Sequence, residues 1–240
     1  MTDVDMTELA RKNGGSQPLR GYLSKPSGDG PWPGVVVIHE AFGLNDVVRR
    51  QADRLAEAGF LALAVDLFSA GGVRKCLVST MVALTKGEGR PFADIESARE
   101  WLVASSDCSG NVGVIGFCMG GGFALATANS GFDASSVNYA FLPRDLDAAL
   151  AGACPIVASY GGKDLALRSA PAKLERALTR AGITHDVKQY PTAGHSFLND
   201  AETGPRPIRV IMRVAGMGPE PAAAADAWQR IETFFDEHLR

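Results

Sequence analysis

The sequence predicts an α/β fold, an open and mostly parallel sheet with helices on both faces. Two observations predict it. Short apolar runs such as Val35-Val36-Val37-Ile38 recur along the chain, and a run apolar on both faces suits a strand buried in a parallel sheet. Between these runs lie segments with apolar residues at helical spacing, so strands and helices alternate and crossovers follow. Composition agrees with one buried core: 46% of the 240 residues are apolar, 21% are charged and the formal charge is −3. That excludes a disordered chain. No basic cluster offers a footprint for nucleic acid or anionic lipid. No uncharged apolar run approaches the ~18 residues of a membrane helix.

The elements follow in order. Residues 1–16 are polar and read as an arm or short helix ending at Gly14-Gly15-Ser16. Residues 17–240 read as one domain, with no repeat and no linker. An alternating strand at 19–23 precedes the central run at 35–38. From Asp46, Val48, Ala52, Leu55 and Ala56 mark a helix that Gly59 ends. Strands are expected at 60–65, 111–116, 136–140, 155–160 and 185–190. Helices are expected at 92–104, 119–128, 169–181 and 222–239; the last carries Trp228, Ile231, Phe234 and Phe235 at 3/4 spacing. The mixed stretches 66–91 and 200–221 are expected as loops over the carboxyl edge, where open α/β sheets bind ligands.

Four widely spaced cysteines without a CxxC argue against a disulfide scaffold and a zinc ribbon. The N-terminus carries acids and no apolar signal segment. The expectation is a cytoplasmic enzyme with reduced thiols.

The strongest local signal is Gly116-Phe117-Cys118-Met119-Gly120-Gly121, between an expected strand and an expected helix. A turn this sharp strains its central residue and needs small neighbours, and it exposes the central side chain above the sheet. That residue is Cys118, and a helix N-terminus favours its thiolate. The run lacks the G-x-G-x-x-G of a dinucleotide site. The chain order for this arrangement is nucleophile, acid, histidine. Asp164 follows the strand at 155–160, and His195 lies on the loop after the next strand. Asp164 would orient His195, and His195 would hold the thiolate and protonate the leaving group. Of the four histidines, only His195 falls on a loop at that place. Ile38-His39-Glu40-Ala41 ends the first central strand, so the N–H groups of Ala41 and Met119 are the candidate oxyanion donors. Gly43 stands where H-E-x-x-H needs its second histidine, so no zinc motif is present.

Together these residues resemble the dienelactone hydrolase family of α/β-hydrolases. The matching pieces are Pro33-Gly34, His39-Glu40-Ala41-Phe42-Gly43-Leu44-Asn45, the Cys118 hexapeptide, Gly161-Gly162-Lys163-Asp164 and Ala193-Gly194-His195-Ser196-Phe197. The resemblance implies an α/β-hydrolase fold and a Cys–His–Asp triad that hydrolyses a small lactone or ester without metal or other cofactor. It also implies that Glu40 contacts the resting thiol and takes part in activating it. Phe42, Arg74 and Arg90 are the expected substrate contacts. One departure stands out: the family's arginine four residues after the histidine is Asn199 here, and an amide does not replace a bidentate guanidinium. The expected partner is a small-molecule ester or lactone, and the expected assembly a monomer or small homo-oligomer. Two other readings stay open: a thioesterase, and a catalytically silent fold that binds a ligand or senses oxidants through Cys118.

Overall fold

The computed structural model describes residues 2–205, 207, 209, 210 and 216–240. Eight strands form one sheet in the order β1-β2-β4-β3-β5-β6-β7-β8. They are β1 (Thr2–Asp5), β2 (Arg20–Ser24), β3 (Trp32–Ile38), β4 (Leu61–Asp66), β5 (Cys108–Phe117), β6 (Ala134–Asn138), β7 (Ile156–Gly161) and β8 (His185–Tyr190). The pairs β1/β2 and β2/β4 are antiparallel. From β4 to β8 every pairing is parallel. The helices include α1 (Thr7–Asn13), α2 (Asp46–Glu57), α3 (Val73–Lys86), α4 (Arg90–Val103), α5 (Met119–Ala126), α6 (Leu146–Leu150), α7 (Ala170–Ala181) and α8 (Pro221–Leu239).

The continuous apolar run of β3 is wholly buried because both of its faces are covered. Gly34 faces Leu102 of α4, whereas Gly113, beside Val35 in the neighbouring strand, faces Phe235 and Leu239 of α8. Successive residues of a strand point to opposite faces, so α4 and α8 lie on opposite sides of the sheet. Arg54 joins α2 to α8 through Glu232 at 2.7 Å and lies over the Trp228 ring, which places α2 in the α8 layer.

Two expectations change. Of the two readings of the N-terminal segment, the short helix is the one present, as α1, and there is no loose arm over 2–13, because Met6 and Ala10 are buried in the apolar core. β1 extends the sheet, α1 follows it, and Ser16 fastens the turn to Asp94 of α4 through its N–H and hydroxyl at 2.5 and 2.6 Å. The stretch 66–91 is not a loop over most of its length, since it contains α3. That helix shows no clean apolar stripe: Val78, Met81 and Val82 are exposed. Its ends are set by Gly72 and Gly87, both at φ +74°. Within 200–221, residues 206, 208 and 211–215 lie outside the described residues.

The strand order places the site. The chain leaves β3 toward β4 on one side, returns to β5 on the other, and continues outward. The carboxyl ends of β3 and β5 are therefore a topological switch point, with diverging loops and a crevice between them.

Candidate active site

Cys118 stands at that crevice, between β5 and α5, with φ 54° and ψ −112°. A non-glycine residue here carries strain of about 1–3 kcal/mol, held only if its surroundings impose it. They do. The Cys118 N–H donates to the Asn138 carbonyl at 3.0 Å, and the Asn138 amide donates to the Gly116 carbonyl at 3.2 Å. The turn is so tight that a Cβ on Gly116 would lie 1.9 Å from the Gly120 oxygen, and one on Gly120 would lie 2.2 Å from the Ile38 oxygen. Glycine is required at both places. The second contact also brings the elbow against the loop leaving β3.

That loop is fixed by His39, which is fully buried. Its Nδ1–H donates to the Glu40 carbonyl at 2.6 Å, and its Nε2 accepts the Leu67 N–H at 3.1 Å. Both nitrogens are thus occupied in a neutral ring, whose work is to set the backbone before Ala41. Ala41, Cys118 and Met119 line one cavity. Met119 opens α5, so its N–H has no acceptor within the helix.

The acid and the histidine arrive on the loops after β7 and β8. Lys163 N–H donates to the Ala193 carbonyl at 2.9 Å and Gly218 N–H to the His195 carbonyl at 2.8 Å, so these loops are laced together. His195 Nδ1 lies 2.6 Å from Asp164 Oδ2, with both side chains nearly buried. Burial opposes a charge on His195, but the hydrogen bonds to Asp164 and Cys118 outweigh it and raise its pKa to about 10. The imidazolium is favoured near neutrality, facing the sulfur. The residues predicted as nucleophile, base, acid and oxyanion donors thus converge on one place.

Glu40 is 4% exposed. Its carboxylate accepts from Ser196 Oγ at 2.7 Å, Asn199 Nδ2 at 3.2 Å and Thr203 Oγ1 at 3.3 Å. A bond from Glu40 to the Cys118 thiol is not among its hydrogen bonds to the described residues. Asn199, standing where an arginine was expected, serves Glu40 with its Nδ2, and its Oδ1 accepts from Gln51 at 3.0 Å. Ser196 holds φ 60° directly after His195, and its hydroxyl donates to Glu40. Tyr139 at the end of β6 is fully buried, its ring centroid 5.0 Å from that of His195. Burial, with the charges of Glu40 and Cys118 nearby, pushes its phenol well above the ordinary range.

The expected substrate contacts are placed differently. Phe42 packs its ring over Gly204. Arg90 lines a separate groove with Lys86 and Glu88, and Arg74 is exposed near the start of α3. None of the three is among the residues lining the Cys118 cavity, which has a volume of about 450 Å³. The residues missed by sequence are Ser196, Thr203, Tyr139 and Arg144. Ser196 stands inside the 193–197 motif, directly after His195, and that adjacency was its one sequence signal. The others carry no local pattern. Among the described residues no group of three or more His, Cys, Asp or Glu side chains is placed to hold a metal ion, and no helix is long and apolar enough to cross a membrane.

The other three cysteines are placed apart from this chemistry. Cys76 is buried, and burial raises the Cys154 thiol to about 12. A thiol held that high is a poor nucleophile.

Known proteins share this architecture. The carboxymethylenebutenolidase of Rhodococcus opacus is 28% identical over 229 residues, covering 91% of this chain and 86% of its own. The crystal structure of a dienelactone hydrolase-like promiscuous phosphotriesterase from metagenomic libraries superposes with a TM-score of 0.78 at 26% identity, covering 100% of this chain and 98% of that one. The dienelactone hydrolase of Anabaena variabilis shares the fold, with a TM-score of 0.70 at 23% identity and 93% of each chain covered. The model of the dienelactone hydrolase family matches residues 19–239, and the chain belongs to that family.

Proposed function

We propose that the protein hydrolyses small esters or lactones through Cys118, by way of an acyl-thioester intermediate. The observation that carries this reading is the chain of contacts Asp164–His195–Cys118, at an elbow whose strain exposes the sulfur. The thiolate paired with the His195 imidazolium attacks the acyl carbon, and the carbonyl π electrons move onto oxygen. The N–H groups of Ala41 and Met119, which line the same cavity as the sulfur, receive that oxyanion. The tetrahedral adduct collapses, the carbon–oxygen bond to the leaving group breaks, and His195 gives its proton to the departing alkoxide. A thioester remains. His195, now neutral, takes a proton from water, the hydroxide adds to the thioester, and the acid leaves as the thiolate is restored. Asp164 orients the ring and stabilises the imidazolium in both halves. Glu40, beside the elbow, is proposed to shape the polar surroundings of the sulfur through Ser196, Asn199 and Thr203.

The test is turnover of p-nitrophenyl acetate and a lactone panel by the wild type and by Cys118→Ala. Activity should be present in the first and absent in the second. Turnover by Cys118→Ala at the wild-type rate overturns the proposal.

A further inference from the structure

The wall of the Cys118 cavity is apolar: Met81 and Leu84 of α3 face Phe141, Leu142 and Pro143 of the segment after β6. One charged side chain lines it, that of Arg144. The acids nearest to Arg144 in the chain are engaged elsewhere. Asp145 caps α6 by accepting the Ala148 N–H at 2.9 Å, and Asp147 pairs with Arg180 at 2.8 Å. Among the described residues Arg144 has neither a hydrogen bond nor an ion pair, and no carboxylate lines the cavity with it. A guanidinium left without an anion beside an apolar wall is a ready carboxylate or phosphate receptor. The wall is also open: Phe141 and Met81 are 57% and 40% exposed. Apolar side chains are costly to leave in water, and a ligand that covers them recovers that cost.

We infer that Arg144 determines specificity, and that the site takes esters whose acyl part is an apolar chain bearing an anionic group. The chain lies on the α3 and Phe141–Leu142 wall, and the anion pairs with the guanidinium. This rests on the ester-hydrolase reading of Cys118 and adds the substrate class. Arg144 acts on the substrate's anion and not on the reacting atoms, so its loss shows as a changed selection between charged and neutral esters.

The test compares two substrates of equal chain length, the mono-p-nitrophenyl ester of adipic acid and its neutral methyl ester, in the wild type and Arg144→Gln. The preference for the acid over the neutral ester in kcat/KM should fall about tenfold in the variant, and it should weaken with added salt in the wild type. A preference equal in both proteins overturns the inference. A second readout needs no turnover: hexanoate, compared with hexanamide, should shield Cys118 from iodoacetamide better in the wild type than in Arg144→Gln, read by mass spectrometry of the Cys118 peptide. Equal shielding by hexanoate in both proteins overturns the inference. Selective shielding without hydrolysis of either ester would uphold Arg144 as an anion site while defeating the ester-hydrolase reading.

Discussion

Two carboxylates are buried in this molecule without a hydrogen-bonded cation among the described residues, and they sit at opposite kinds of place. Asp94, on α4, accepts the N–H and hydroxyl of Ser16 and closes the N-terminal turn onto the domain. Glu40, after β3, accepts from three side chains of the loop that carries His195. Around Asp94 no non-glycine residue holds positive φ; around Glu40 three do, Cys118, Tyr139 and Ser196. Among the described residues, positive φ on non-glycine residues is thus found at the candidate site and not at the turn that Asp94 closes. Damage at the Glu40 end should therefore appear as lost rate, and damage at the Asp94 end as lost stability.

Asp164→Asn should break this comparison most visibly if it is false. It leaves the shape of the site and removes the charge that orients His195, so kcat should fall on the order of 10³–10⁴-fold. Thermal unfolding should move little by comparison. Glu40→Gln comes next. One amide face would meet the donors Asn199 and Thr203, so kcat should drop by about one to two orders of magnitude, within the range of a displaced positioning group. Steady-state kinetics beside circular-dichroism melting separates the two effects. Asp94→Ala leaves the buried Ser16 N–H without its partner and should cost about 1–3 kcal/mol. Denaturant titration measures that loss, and specific activity of the folded protein should stay at the wild-type value.

The pH dependence sharpens the same contrast. His195 has a raised pKa of about 10, against about 6.5 in an unfolded chain. Its contribution to stability is therefore complete below about 6.5, declines as pH rises, and is lost as pH passes through about 10. Asp94 is raised by burial, which outweighs its bonds to Ser16, so it disfavours folding at pH above its ordinary range and less so in acid. Unfolding curves across pH for His195→Gln and Asp94→Asn should lose the alkaline and the acidic part of the profile respectively. The smallest effect is expected at the surface: Arg11→Ala, which removes an exposed pair with Glu8 at 2.8 Å, should leave the denaturation midpoint at the wild-type value.

The candidate site was legible in sequence because its residues must sit at fixed places in fixed order. Glycines at 116 and 120 are demanded by backbone approach, and Asp164 and His195 must lie on the loops that follow particular strands. The central strands were legible for a similar reason, since burial on both faces leaves a continuous apolar run. What escaped was set by tertiary contact alone. α3 turns part of its apolar surface to solvent beside the cavity, so no stripe marks it as a helix. β1 and α1 are anchored by only a few buried residues, Met6 and Ala10 foremost, in a segment that is otherwise polar. Asn199 read as a lost arginine, yet in the fold it serves Glu40. Arg144 follows three apolar residues in a loop, and only the folded cavity gives it meaning.

The central claim is that acyl groups pass through the Cys118 sulfur. Rapid acid quenching during turnover of p-nitrophenyl acetate, followed by peptide mass spectrometry, tests it most directly. An acetyl group on the Cys118 peptide, absent from Cys118→Ala, is the predicted result. Steady turnover with the acetyl group on another residue, or undiminished in Cys118→Ala, would contradict it.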